Sequence, residues 1–167
     1  SYTFVRSEFE DANQKLIPTA WDNRHIFNMT LMKSLPRNWD IGIKWRYAGG
    51  APYTPYDIEK SQIIRNWDIQ SKGFLDYSKF NSLRLRAFHQ LDIRVDKTFY
   101  FNKWELGFYF DVQNAYNFKS ENPDYLTHLD ENGAVNIDPE NPDKYILRTI
   151  KSGSGTVLPT IGIKVAF

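Results

Sequence analysis

The sequence predicts an all-β chain, an antiparallel transmembrane β-barrel segment of about six strands. Three observations predict it. Apolar and polar residues alternate with period two along several segments, the pattern of a strand with two different faces. The connections between those segments alternate between tight turns and long polar loops. Aromatic residues, 16% of the 167, gather where segments meet their connections, as in the interfacial girdles of membrane barrels.

The first strand is expected from Tyr2 to about Phe9, and the second from His25 to Lys33 with Phe27, Met29 and Leu31 on its apolar face. The third runs from Trp39 to Tyr47. Trp39, Ile41, Ile43, Trp45 and Tyr47 form its apolar set, against Asp40, Lys44 and Arg46. The fourth, Gln90 to Phe99, sets Leu91, Ile93 and Val95 against Gln90, Asp92, Arg94 and Asp96. The fifth, Trp104 to Val112, sets Trp104, Leu106, Phe108, Phe110 and Val112 against Glu105, Gly107, Tyr109 and Asp111. The sixth is Ile161 to Phe167. Lys33 and Lys97 fall on the apolar parity, but each lies within a few residues of a short turn, where a lysine snorkels to a headgroup region.

Leu35-Pro36-Arg37-Asn38 and Phe101-Asn102-Lys103 read as tight turns. Glu10 to Asp22, Gly49 to Phe88 and Asn117 to Leu158 read as long irregular loops rich in Asn, Asp, Pro, Gly and Ser. Trp39, Phe99, Tyr100, Phe101 and Trp104 cluster toward one end of the strands, and Trp45, Tyr47, Tyr116 and Phe118 toward the other. Alternation alone has the same period in a soluble β-sandwich. The large apolar residues on one face, the charges on the other and the loop asymmetry favour lipid.

Composition narrows the function. A net charge of +1 points to no nucleic-acid partner, and there is no cysteine for a disulfide framework or a thiolate site. Mean hydropathy is −0.55, and no stretch approaches the roughly 18 apolar residues of a membrane-crossing helix. A barrel escapes that average because every second residue faces a polar interior. His25, His89 and His128 lack metal-ligand spacing. Asp92-x-Arg94-x-Asp96 reads as a salt-bridge ladder, and Asp130-Glu131-Asn132-Gly133 as a turn, without the ligand spacing of a calcium loop. No catalytic residue, metal or cofactor is expected, and the chain reads as no enzyme.

Pro18-Thr19-Ala20-Trp21-Asp22-Asn23-Arg24-His25, Trp45-Arg46-Tyr47-Ala48-Gly49-Gly50-Ala51-Pro52-Tyr53-Thr54-Pro55, the stretch from His89 to Lys97, Gly107 to Asn117 and the closing Ile161 to Phe167 together resemble the C-terminal barrel of TonB-dependent outer-membrane receptors, in style those of the Bacteroidetes. The resemblance implies import of a scarce nutrient through a plugged barrel in the bacterial outer membrane, with long loops extracellular and the C-terminus periplasmic. It implies three partners: the lipid bilayer, the N-terminal remainder of the same receptor with its plug and earlier strands, and, through that remainder, the TonB energy-transducing complex. The plug would lie upstream of Ser1. Under this reading Asp40, Lys44, Arg46, Asp92, Arg94, Asp96, Glu105 and Asp111 face the lumen or plug. Tyr53, Tyr56, Trp67, Tyr77 and Phe80 are candidate ligand contacts in an extracellular loop, or pack within that loop. Rival readings are a small porin-like or structural barrel and a soluble β-sheet ligand-binding domain.

Bacterial single-chain barrels begin at about eight strands. Residues 1–167 are therefore expected to be the last six strands of a larger barrel, about 22-stranded by analogy with plugged transporters, with both edges of the sheet pairing with polypeptide outside this sequence.

Overall fold

A computed structural model describes every residue from Ser1 to Phe167. In chain order the strands are β1 (Tyr2–Val5), β2 (Glu8–Glu10), β3 (Leu16–Pro18), β4 (Arg24–Leu35), β5 (Trp39–Ala48) and β6 (Pro52–Tyr53), then β7 (Leu83–Arg84), β8 (Phe88–Tyr100), β9 (Glu105–Gln113), β10 (Ser120–Thr127), β11 (Arg148–Ser154) and β12 (Leu158–Ala166). Between β6 and β7 lie helices α1 (Ile58–Gln62) and α2 (Ile64–Gln70) and a 3-10 turn at Tyr77–Lys79. No helix is long and apolar enough to cross a membrane.

The chain is all-β in class. One six-stranded antiparallel sheet, ordered β1-β4-β5-β8-β9-β12, dominates it. These six strands follow one another in chain order, with short loop strands intervening at three of the five connections, so the sheet runs up and down, and β1 and β12 are its two unpaired edges. Strand residues directly opposite one another share a face, and the register therefore sorts every side chain. Leu31, Ile43, Ile93 and Val112 form one continuous row, and Ile41, Val95, Phe110 and Ile161 the next. On the other face Asp40 stands opposite Asp96, Lys44 opposite Asp92, and Arg94 opposite Asp111.

The two short turns lie at one end of this sheet. Leu35 pairs with Trp39 across a turn in which Arg37 and Asn38 both take positive φ, and Phe101 donates its N–H to the Trp104 carbonyl. The two off-pattern lysines sit by the first of these turns. Lys97 lies opposite Trp39, donates to the Arg37 carbonyl and rests 5.3 Å from the Trp39 ring centre. Its stem covers apolar surface while its charge reaches the turn.

The long connections, at the other end, depart from expectation in one respect: they are not irregular. Each carries its own two-stranded ribbon, β2–β3, β6–β7 or β10–β11. The first expected strand accordingly splits, because β1 stops at Val5 and Glu8–Glu10 turns away to pair with Leu16–Pro18. The Asp130 segment is the expected turn, its carboxylate accepting the N–H groups of Asn132 and Ala134 at 2.8 Å each.

Only 10 of the 167 residues are buried, and the hydrophobic core of the molecule lies in the loops and not in the sheet. Trp67, Leu126 and Tyr145 form it, with Tyr56, Ile64 and Leu147 packed around them. The accessible surface is 12019 Å², against about 8,600 Å² for a folded monomer of 19.7 kDa. The excess reflects a sheet with nothing packed on either face.

Candidate functional site

The two faces of the sheet are chemically opposite. All eight residues expected on the charged face, Asp40, Lys44, Arg46, Asp92, Arg94, Asp96, Glu105 and Asp111, share it by register. Asp92 is its best-connected member. Its Oδ1 accepts hydrogen bonds from Gln90 Nε2 at 2.7 Å and from the Asn114 N–H at 3.0 Å, and its Oδ2 accepts from Arg46 Nη2 at 3.2 Å. Arg94 forks onto both oxygens of Asp96 at 2.8 Å, as the ladder reading expects, and its guanidinium lies 4.2 Å from the Tyr109 ring centre. Tyr109 in turn covers Gly162 on the edge strand, where an added Cβ would come within 2.2 Å of the ring. Lys164 pairs with Glu105 across the strands at 3.4 Å. The Arg46 Nε is buried without a partner. A depression of 420 Å³ over Thr30, Lys44, Arg46, Asp92, Arg94 and Asp111 opens on this face.

The opposite face is apolar and uncovered. Ile161 is 77% exposed, Ile163 65% and Phe110 47%, values that put large aliphatic and aromatic groups against the surroundings over the whole sheet. Phe101 and Trp104 stack 4.3 Å apart at the short-turn end. At the loop end Trp45 stacks with Tyr47, and Tyr116 shares a 2.7 Å hydrogen bond with His89 Nδ1. Phe118 is a correction to the expected girdle. It is buried, 4.1 Å from the His89 ring and under the Arg86 guanidinium, because Asn114 grips both its N–H and its carbonyl and folds the chain inward.

The loop end is held by polar joints that sequence reasoning missed. Asp22 is 1% exposed. Its carboxylate accepts from Arg84 and from the Ser7 N–H, while Arg84 also donates to the Gly50 carbonyl at 3.1 Å. Burial alone would raise the Asp22 carboxyl pKa. Hydrogen bonds from Arg84 and Ser7, with the positive charges of Arg84 and Arg24, hold it below its ordinary value of 3.8. Gly49 and Gly50 permit the crossing, since a Cβ on either would lie 2.0 Å from the Asn23 carbonyl oxygen or 1.7 Å from that of Leu85. Asn81, also buried, donates to the Pro18 carbonyl and receives on its N–H the Thr54 hydroxyl as acceptor.

Of the five loop aromatics, Trp67 takes the packing alternative. It is 4% exposed at the centre of the loop core, so it packs the loop and presents no surface to a ligand. Tyr56 leans on that core and also lines a cleft with Tyr53. Tyr77 is exposed and stacks on Phe80, which meets Phe9 edge-on. The second and third long loops dock through this core: the Tyr145 hydroxyl and Asp68 share a 3.0 Å hydrogen bond, and the Tyr145 N–H donates to the Gln62 carbonyl. Burial and the Asp68 carboxylate both push the Tyr145 phenol pKa up. No group of His, Asp and Glu side chains is placed to hold a metal ion.

The arrangement defines a two-faced wall with a folded cap at one end. No protein-family model, characterised protein or solved structure matched the chain.

Proposed function

We propose that this chain is the C-terminal part of a plugged outer-membrane transporter of the TonB-dependent type, importing a scarce nutrient. The observation that carries this reading is the continuous uncovered apolar face of a six-stranded sheet whose other face is charged. In water such a face is a large exposed apolar patch, which soluble monomers avoid; against acyl chains it is in its proper solvent. Strand lengths support the same reading. The four central strands run 9 to 13 residues, and a tilted membrane strand needs about 9–11.

The open edges support a larger barrel. Within a bilayer each unpaired N–H or C=O costs several kcal/mol, so β1 and β12 pair with further strands of the same receptor. The charged face then borders the lumen and meets a plug domain, the long loops stand outside the cell and the short turns lie in the periplasm. The chemistry is transport and not catalysis. Fractionation of cells producing the full-length receptor tests this: the protein partitions with the outer membrane, resists carbonate extraction and dissolves in detergent. Recovery in the aqueous fraction overturns the reading.

A further inference from the structure

The second and third long loops leave a cleft of 250 Å³ between them, walled by Tyr53, Tyr56, Leu75 and Leu83 from one and by Asp124 and Leu126 from the other. Among its lining residues Asp124 is the only carboxylate, and no Lys, Arg or His is present. One Asp124 oxygen accepts the Ser152 N–H at 3.1 Å; the carboxylate stands in no ion pair. Its charge is felt across the cleft, where burial first and Asp124 second push the Tyr56 phenol pKa up.

An apolar wall with one uncompensated carboxylate selects its guest by charge. A neutral apolar guest strips water from Asp124 and returns no partner, which costs free energy. An anion is repelled outright. A cation with an apolar body satisfies the carboxylate, and Tyr53 and Tyr56 in the lining supply aromatic groups that attract a cation. The volume lies below the roughly 300–1,000 Å³ of ordinary ligand pockets, which limits the body to about one ring. We propose that this cleft binds a small organic cation with a flat apolar body, its ammonium group against Asp124 and its ring against the two tyrosines. The proposal names a cargo class for the transport reading above and rests on that reading for the outward position of the cleft.

The test uses the full-length receptor in lipid nanodiscs and three probes of similar size: phenethylammonium, 2-phenylethanol and 3-phenylpropanoate. Calorimetry gives the affinities, and hydrogen exchange across residues 49–88 and 117–158 reports on the loop core, where Trp67 packs with Leu126 of the cleft wall. Phenethylammonium binds saturably, about tenfold or more tighter than either other probe. Asp124→Asn keeps an acceptor for Ser152 and removes that preference. Tyr56→Leu keeps the apolar wall and weakens the cation more than the alcohol. If Asp124→Asn loses the native exchange protection of these loops, Tyr56→Leu decides. No saturable binding of phenethylammonium, equal affinity for all three probes, or an unchanged preference in the variants overturns the proposal. Carbonate extraction of the same preparation reads the membrane assignment separately. An integral protein that ignores the cation removes only the cleft proposal. A protein released without detergent removes the transport reading, and the binding data still judge the cleft.

Discussion

The buried carboxylate of Asp22 and the guanidinium of Arg84, 62 residues apart, tie the entry into β4 to the return of the second long loop. Arg84 reaches the Asp22 side chain, the Asp22 carbonyl and the Gly50 carbonyl together. Arg84→Ala leaves the buried Asp22 carboxylate only the Ser7 N–H and, at 3.8 Å, the Arg24 guanidinium, and is expected to cost about 1–3 kcal/mol in loop stability. Hydrogen exchange across residues 49–88 and 7–22 reads the loss, and Arg84→Lys rescues it only partly because an ammonium cannot fork.

The same pair has a pH signature. The Asp22 carboxyl pKa lies below 3.8 in the folded chain, and a depressed acid contributes stability that is complete above its unfolded value and lost as pH falls through the folded one. The joint is therefore at full strength at neutral pH and releases only below pH 3.8. Protection of residues 7–22 from exchange drops in that acid range in the native chain; in Asp22→Asn it is already low at pH 7 and the acid step shrinks.

On the apolar face, Ile43→Arg or Phe108→Arg places a charge among the exposed aliphatic and aromatic side chains of the sheet. Under the proposed membrane reading each is expected to cost about 2–4 kcal/mol near the bilayer midplane. Urea unfolding of the full-length protein in lipid vesicles measures it, with Lys164→Arg on the charged face as a neutral control.

On the charged face, Asp92→Ala removes the acceptor shared by Gln90, Arg46 and Asn114. The expected loss is about 1–3 kcal/mol, read by the same unfolding titration. Asp92→Asn keeps an acceptor and retains part of it.

In the cap, Trp67→Ala empties the centre of the loop core and is expected to loosen loop docking by about 3–5 kcal/mol. Protease added to intact cells then cuts within residues 49–88 or 117–158 faster than in the native protein, while the sheet stays protected.

The six-stranded sheet was legible because period-two alternation survives in Trp39 to Tyr47, Leu91 to Val95 and Leu106 to Val112, and a one-residue slip would invert every face. The eight charged-face residues were legible for the same reason. The loops were not. Helices of five and seven residues and strands of two are too short to print a period. Asp22, Arg84, Asn81 and Asn114 meet partners that no local pattern announces. Trp67 and Phe118 show a further limit: a loop aromatic has the same local sequence whether it packs inward or faces out.

What the apolar face touches separates a lipid-facing wall from a sheet in water. Spin labels placed singly at Ile43, Phe108 and Ile163, and at Lys44, Asp111 and Lys164, in the full-length protein reconstituted in lipid, read that contact directly. A lipid-facing wall gives high accessibility to oxygen and low accessibility to a water-soluble nickel complex at the first three, with the reverse at the second three. Water-like accessibility at Ile43, Phe108 and Ile163 would rule that wall out.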